Sequence, residues 1–305
     1  MDKRDFLSID SLSTEELHQL LSDAAKAKEK PEKFADALDG KQIALIFEKP
    51  STRTRVSFEA AVSTSGGHAI VLRGDELQLG RGETIEDTGT VLSRYCDALV
   101  IRTFGQDRLE RLAAAAPVPV VNALSDYSHP CQALADYQTI GERFEGFEGL
   151  ALAYLGDGNN VAHSLMFAGA KLGVDVRVAC PPGYEPLPQV VERCRAIGAE
   201  TGGKLAVTNV VAEAATGANV LYTDVWASMG QESEAEKRAE VLGKYQVNSD
   251  VVALAADDAI VMHCLPAHRG EEITADVLDG ERSVVWDQAE NRMHSQKALL
   301  AWLLA

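Results

Sequence analysis

A chain of 305 residues exceeds what one hydrophobic core ordinarily serves, so two domains are expected. Hydrophobic residues make up 46% of it and the formal net charge is −17, which argues against disorder and against a basic nucleic-acid-binding face. No apolar run approaches the roughly 18 residues of a membrane span, so no membrane association is expected.

The opening residues Met1-Asp2-Lys3-Arg4-Asp5 are not followed by the apolar stretch of a secretory signal. Cys96, Cys131, Cys180, Cys194 and Cys264 form no C-x-x-C pair, and their odd number fits a reduced, cytoplasmic setting. Ser13 with Glu16 three residues later is a capping-box pattern, and Leu17, Leu20, Leu21 and Ala24 give the helix behind it one apolar face. Gln42–Phe47 is an apolar run of strand length. It leads into Pro50-Ser51-Thr52-Arg53-Thr54-Arg55 and then Val56-Ser57-Phe58-Glu59, a helix start with Ser51 or Thr52 as N-cap. Hydroxyls, free backbone N–H groups and guanidinium groups thus converge on one helix N-terminus, a setting that favours a phosphate-like anion; an exposed basic helix start is the other reading.

His68–Leu72 reads as the next strand, and 74–84 as a polar loop before a helix at about Ile85. Cys96–Thr103 reads as a strand bearing Arg102 at its carboxyl end, the edge where parallel sheets bind ligands. A strand over 118–126 leads to His129-Pro130-Cys131-Gln132. Pro130 starts a helix there and holds His129 just ahead of its positive end, so the imidazole is expected neutral and able to donate to an oxygen. A capping or buried structural histidine is the alternative. Gly146 and Gly149 end that helix, near a domain junction.

The second half opens on the strand Ala151–Leu155 and the turn Gly156-Asp157-Gly158-Asn159-Asn160-Val161. This is close to a dinucleotide-binding fingerprint but has Val161 in place of the third glycine, and no acidic residue ends the following strand, Asp175–Cys180. Further strands are expected at 204–208, 219–223, 259–262 and 283–286, with a polar stretch at 231–244 that reads as a lid. Asp224 follows a strand end, either as a ligand or as a helix cap. His263, Cys264 and His268 invite a zinc reading, yet adjacent residues on an extended segment point oppositely and no fourth ligand is evident. Repeated β-α units in both halves predict an α/β protein: two doubly wound parallel-sheet domains joined by a linking helix.

The runs PSTRTR with SFE, HPCQ, DVWASMG and HCLPAHRG resemble the signatures of the transcarbamoylases, and the last two resemble those of the ornithine carbamoyltransferases among them. The resemblance covers nearly the whole chain. It implies carbamoyl phosphate and L-ornithine as substrates, citrulline and phosphate as products, no cofactor and no metal. Putrescine or a modified ornithine is the alternative acceptor. It implies a carbamoyl-phosphate-binding domain over 1–140, completed by a C-terminal helix over 289–305 that returns to it, and an ornithine-binding domain over 141–288. By the same resemblance carbamoyl phosphate is bound by Ser51, Thr52, Arg53, Thr54, Gln78, Arg102, His129, Gln132, Cys264, Leu265 (through its carbonyl, with a cis bond to Pro266) and Arg292. Ornithine falls to Asn160, Asp224, Ser228 and Met229, and the catalytic group comprises Arg102, His129, Asp224 and Cys264. A homotrimer or an assembly of trimers is implied, with Gln78 serving a neighbouring subunit.

Overall fold

The computed structural model describes residues 3–227 and 234–305, without the side chains of residues 80, 81 and 235. The chain divides into two compact units, Met1–Gln138 with Glu290–Ala305, and Thr139–Ala289. The division therefore falls inside two helices, close to residues 140 and 289.

In the first unit the order is α1 (Thr14–Glu29), β1 (Gln42–Phe47), α2 (Thr52–Ser63), β2 (His68–Arg73), α3 (Ile85–Leu92), β3 (Ala98–Arg102), α4 (Gln106–Ala115), β4 (Val120–Leu124) and α5 (Pro130–Phe144), the last running on into the second unit. The expected capping box is present: Ser13 accepts from the Glu16 amide, and the Glu16 carboxylate accepts from the Ser13 amide. The sheet order is β2-β1-β3-β4, all parallel. β1 and β3 are buried along nearly their whole length, which is why they read as unbroken apolar runs. Ala44, Ile46, Leu99 and Ile101 alternate onto one face and pack with Ile85, Leu109 and Leu112 of α3 and α4.

The second unit holds β5 (Ala151–Leu155), α6 (Asn160–Leu172), β6 (Asp175–Ala179), α7 (Pro188–Thr201), β7 (Lys204–Thr208), α8 (Val211–Ala215), β8 (Val220–Thr223), α9 (Ala235–Leu242), α10 (Ser249–Val252), β9 (Ile260–His263) and α11 (Ala275–Leu278), then the start of α12 (Val285–Leu304). Its sheet order is β7-β6-β5-β8-β9, again parallel throughout. Leu155, Leu221 and Val261 pack there with Tyr245, Ile273 and Val277.

One expected strand is absent. Residues 283–286 make a single bridge, Val261 to Ser283, and helix α12 has begun by Val285. The apolar Val284 and Val285 are buried at that helix entrance rather than along a ladder, so hydrophobicity alone misled the reading. Part of the expected lid at 231–244 lies outside the described residues. The rest contains α9, whose Leu242 and Arg238 are buried.

In each sheet the order of strand addition switches sides once. The first winds from β1 outward to β2 and then resumes at β3; the second winds from β5 to β6 and β7 and resumes at β8. Open parallel sheets bind ligands beyond the carboxyl ends of the strands at such switch points. Those strands end at Phe47 and Arg102, paired in register, and at Leu155 and Thr223, likewise paired.

Candidate active site

Beyond Phe47 the chain turns through Glu48 and Lys49 into α2. Ser51 is its N-cap, with an extended backbone and a side chain that accepts from the Thr54 amide at 3.3 Å. The Ser51 hydroxyl donates to the Thr54 Oγ1 at 3.0 Å. No acidic side chain stands in the first turn, so nothing on α2 itself offsets the positive end of the helix. Thr52 is exposed, Arg53 half-buried and Thr54 fully buried.

Arg292, on the part of α12 that belongs to this unit, reaches the same place. Its Nη2 donates to Thr54 Oγ1 at 2.8 Å and its Nη1 to Gln132 Oε1 at 2.9 Å. Gln132 in turn donates to Asp136 at 2.8 Å. One connected network therefore links Ser51, Thr54, Arg292, Gln132 and Asp136, and its planar guanidinium is held from both sides before any ligand arrives. Neighbouring acids are occupied elsewhere: Glu48 accepts from Arg108 at 2.7 Å and from Thr103, and Asp126 accepts from Lys49 at 2.6 Å.

His129 sits just before Pro130, as expected, and is buried. Burial, then the charges of Arg292, Arg102 and Arg53, hold its pKa well below the usual histidine value, so the ring is neutral at pH 7. The expected neutral state is found, with burial and three arginines as its causes. Those three guanidinium groups bear on one imidazole, which gathers Arg53, Arg102, His129 and Arg292 around one region of positive potential. Gln78 stands apart from this group: it is exposed at the start of a 3-10 turn, Gln78–Arg81, and among the described residues no hydrogen bond joins its side chain to the network.

Depressed histidine pKa values have a stability consequence. Below about pH 6.5 the unfolded chain takes up protons that buried His129, and His294 with the same direction of shift, do not. Stability is thus present in full above that pH and is lost as pH falls through it. A melting temperature that stays level between about pH 7 and pH 5 contradicts this.

In the second unit Asp224 follows β8 and is 7% exposed. Its Oδ1 accepts from the Cys264 thiol at 2.9 Å and from the Val225 amide at 2.8 Å, and its Oδ2 accepts from Asn159 Nδ2 at 2.9 Å. Cys264 follows β9, which pairs with β8, so the two side chains meet at neighbouring strand ends. Leu265 follows with φ of 59° and a cis bond to Pro266, as expected. Asn160 opens α6 and is half-buried, while Asn159 is its N-cap. Ser228 and Met229 lie outside the described residues.

Two rival readings lose their footing. Asn159 Oδ1 already accepts from the Val161 and Ala162 amides, the donors a dinucleotide pyrophosphate would need. Gly158 is required by close approach, since a Cβ there would lie 2.4 Å from the Pro186 nitrogen. The three residues of the zinc reading do not form one set. His263 and Cys264 stand with Asp224, whereas His268 is exposed beside Glu271. Both ring nitrogens of His263 are engaged within the fold, Nδ1 by the Leu265 amide at 2.8 Å and Nε2 by Glu272 at 3.0 Å.

Comparison with known proteins decides the family. The aspartate/ornithine carbamoyltransferase carbamoyl-P binding domain matches residues 4–142, and the Asp/Orn binding domain of the same family matches 148–303. An ornithine carbamoyltransferase of Parafrankia sp. is 61% identical over 100% of this chain and 97% of its own length. The chain belongs to the ornithine carbamoyltransferase family. An anabolic ornithine carbamoyltransferase of Pyrococcus furiosus is 54% identical over 99% of the chain and 96% of its own length. Solved ornithine carbamoyltransferases share the fold. That of Pyrococcus furiosus has a TM-score of 0.94 at 54% identity, covering 98% of this chain and 96% of that one. That of Giardia lamblia has 0.91 at 37% identity, covering 100% and 99%.

Sequence reasoning missed several groups that contact the residues it singled out or lie near them. Asn159 was overshadowed by its neighbour Asn160, although an asparagine directly ahead of an apolar helix is a capping signal. Asp136 and the pairs His263–Glu272 and Arg238–Asp157 carry no local signal, because their partners are set by folding.

Proposed function

We propose that the protein transfers the carbamoyl group of carbamoyl phosphate to the side-chain amine of L-ornithine, giving L-citrulline and phosphate. Its family membership and the joined Ser51–Thr54–Arg292–Gln132 network, set at a helix N-terminus, support the reading most strongly. In this reading Ser51, Thr52, Arg53 and Thr54, with Arg102, hold the phosphate. Thr54, Arg102 and His129 stabilise the negative charge that develops on the carbamoyl oxygen. A neutral His129 donates a hydrogen bond there without offering its own charge to the phosphate. Arg292 contacts carbamoyl phosphate and Gln132 its carbamoyl group, the Leu265 carbonyl is assigned to the carbamoyl nitrogen, and the Cys264 thiol works beside Asp224. Gln78 serves the site of a neighbouring subunit in a homotrimer or an assembly of trimers; light scattering that gives the 32.8 kDa monomer mass opposes that assembly. The setting is cytoplasmic.

Ornithine is assigned to Asn160, Asp224, Ser228 and Met229. Its amine attacks the carbamoyl carbon, a C–N bond forms, and the C–O bond to phosphate breaks with the electron pair leaving on phosphate. The proton shed by nitrogen passes to that leaving group. The amine must be uncharged to attack, and with a pKa near 10.4 its deprotonation at pH 7 costs about 4.6 kcal/mol. Asp224 and the Cys264 thiol orient it.

Turnover is therefore expected to rise from neutral to mildly alkaline pH, where the reactive amine is less scarce. A rate level between about pH 6 and 9, with chemistry limiting, speaks against this mechanism. Acceptor choice is tested by offering labelled carbamoyl phosphate with ornithine, putrescine and acetylated ornithine; preferential labelling of either of the last two transfers the assignment to that amine.

A further inference from the structure

Among the described residues, His263 and Glu272 form a fully buried ionisable pair that the mechanism leaves unused. Its geometry fixes the ring's protonation. The Leu265 amide donates to His263 Nδ1 at 2.8 Å, so Nδ1 carries no proton. The proton is on Nε2, which donates to Glu272 Oε1 at 3.0 Å. The same carboxylate oxygen accepts from the His268 amide at 2.6 Å. Burial acts to raise the Glu272 pKa, but the His263 ring and the His268 amide outweigh it and leave the carboxyl below its usual value. The other oxygen, Oε2, is buried with no hydrogen-bond partner among the described residues. A buried charge with half its accepting capacity unused is a costly way to stabilise a fold.

What the pair holds is the segment between its two members. Leu265 is one of two non-glycine residues with positive φ among those described, and such a conformation persists only where its surroundings enforce it. One contact that holds this backbone is the His263 ring on the Leu265 amide. Directly between them in sequence, Cys264 has its thiol on Asp224. His263 is also anchored through its own backbone, whose N–H donates to Gln288 Oε1 at 2.9 Å.

We propose that His263, locked by Glu272, is a positioning residue of the transfer reaction: it aims the Leu265 carbonyl and the Cys264 thiol without touching substrate. The proposal rests on the carbamoyl-transfer reading. Ring orientation is passed from Glu272 to Nε2, and from Nδ1 to the Leu265 amide, much as outer carboxylates orient metal-bound histidines.

Two substitutions separate positioning from simple packing. His263→Asn places a carbonyl oxygen near the position of Nδ1 and keeps the acceptor for Leu265, but gives up Glu272. His263→Gln keeps a donor near Nε2 and gives up the Leu265 acceptor. Steady-state kinetics on the full chain are expected to show kcat about 100-fold lower in His263→Gln, the scale of a misplacement of about 1 Å, and about tenfold lower in His263→Asn, which keeps the Leu265 acceptor without the Glu272 lock. Equal kcat losses in the two, or losses that track melting temperature alone, overturn the proposal. Nitrogen-15 NMR of the wild-type protein gives a check that needs no variant: an unprotonated Nδ1 on His263 supports the arrangement and a protonated one overturns it. Wild-type protein that makes no citrulline removes the underlying reading instead, and is recognised before any variant is compared.

Discussion

Replacing Arg53 with alanine is expected to weaken carbamoyl phosphate binding about tenfold to 100-fold while leaving the ornithine KM at saturating donor unchanged. The half-buried guanidinium lies in the first turn of α2, and its charge helps to depress the pKa of His129. A hydrogen bond to a charged group contributes about 1.5–3 kcal/mol, and each 1.4 kcal/mol is about tenfold in affinity. The remaining donors, from the α2 amides, Arg102 and Arg292, explain why the loss is not larger. A second consequence separates this from a fold defect. With one positive charge gone from its surroundings, the pKa of His129 rises toward its ordinary value. Calorimetry that finds the affinity for carbamoyl phosphate unaltered removes Arg53 from the site.

Substitution of Asp224 by asparagine is expected to act on the other substrate. Asparagine preserves shape and retains an Oδ1 acceptor for the Cys264 thiol and the Val225 amide. It removes the negative charge and turns an NH₂ group toward the Asn159 Nδ2, so two donors face one another where a donor met an acceptor. Truncating one member of a buried charged contact costs about 2–5 kcal/mol, so kcat/KM for ornithine should fall on the order of 10²- to 10³-fold. Carbamoyl phosphate binding should be spared. Ornithine kinetics equal to the wild type would take Asp224 out of the acceptor site, and a parallel loss of donor affinity would point to a collapsed domain. Exchanging the two side chains, Asp224→Asn with Asn159→Asp, restores the donor–acceptor pair but moves the charge, and it should recover stability without recovering turnover.

The two variants also show which parts of the site were legible in the sequence. Ser51 and Arg53 were readable because a helix start announces itself locally: an apolar run, a proline, a hydroxyl cap and then an amphipathic segment. β1 and α2 begin and end within a residue or so of what that pattern implies. Pro130 announced α5 for a similar reason, and with it the place of His129. Asp224 was recognisable as a residue after a strand, but its partners were not. Asn159 is 65 residues away and Cys264 is 40. Only the strand order β5-β8-β9 brings those three segments to adjacent edges.

At 283–286 the sequence misled, because a local pattern was overridden by tertiary structure; two other patterns, set aside on the sequence itself, are explained by the fold. Ser283-Val284-Val285-Trp286 has a strand's composition, yet it makes one bridge and Val285 already belongs to α12. His263, Cys264 and His268 have the composition of a metal site, yet His268 stands apart from the other two, and His263 spends one nitrogen on a backbone amide and the other on Glu272. The glycines near Asn160 imitate a nucleotide loop, while Gly158 serves close packing against the chain at Pro186. Roles carried by resemblance alone, such as that of Gln78, have no counterpart in local physics: an exposed glutamine in a polar turn looks like any other.

The most direct test incubates purified protein with carbamoyl phosphate and L-ornithine and measures citrulline and phosphate together, with each substrate omitted in turn. The account predicts one citrulline for each phosphate released, in the absence of any added nucleotide, and no citrulline when either substrate is missing. Phosphate released at the same rate without ornithine, or no citrulline from the complete mixture, contradicts it.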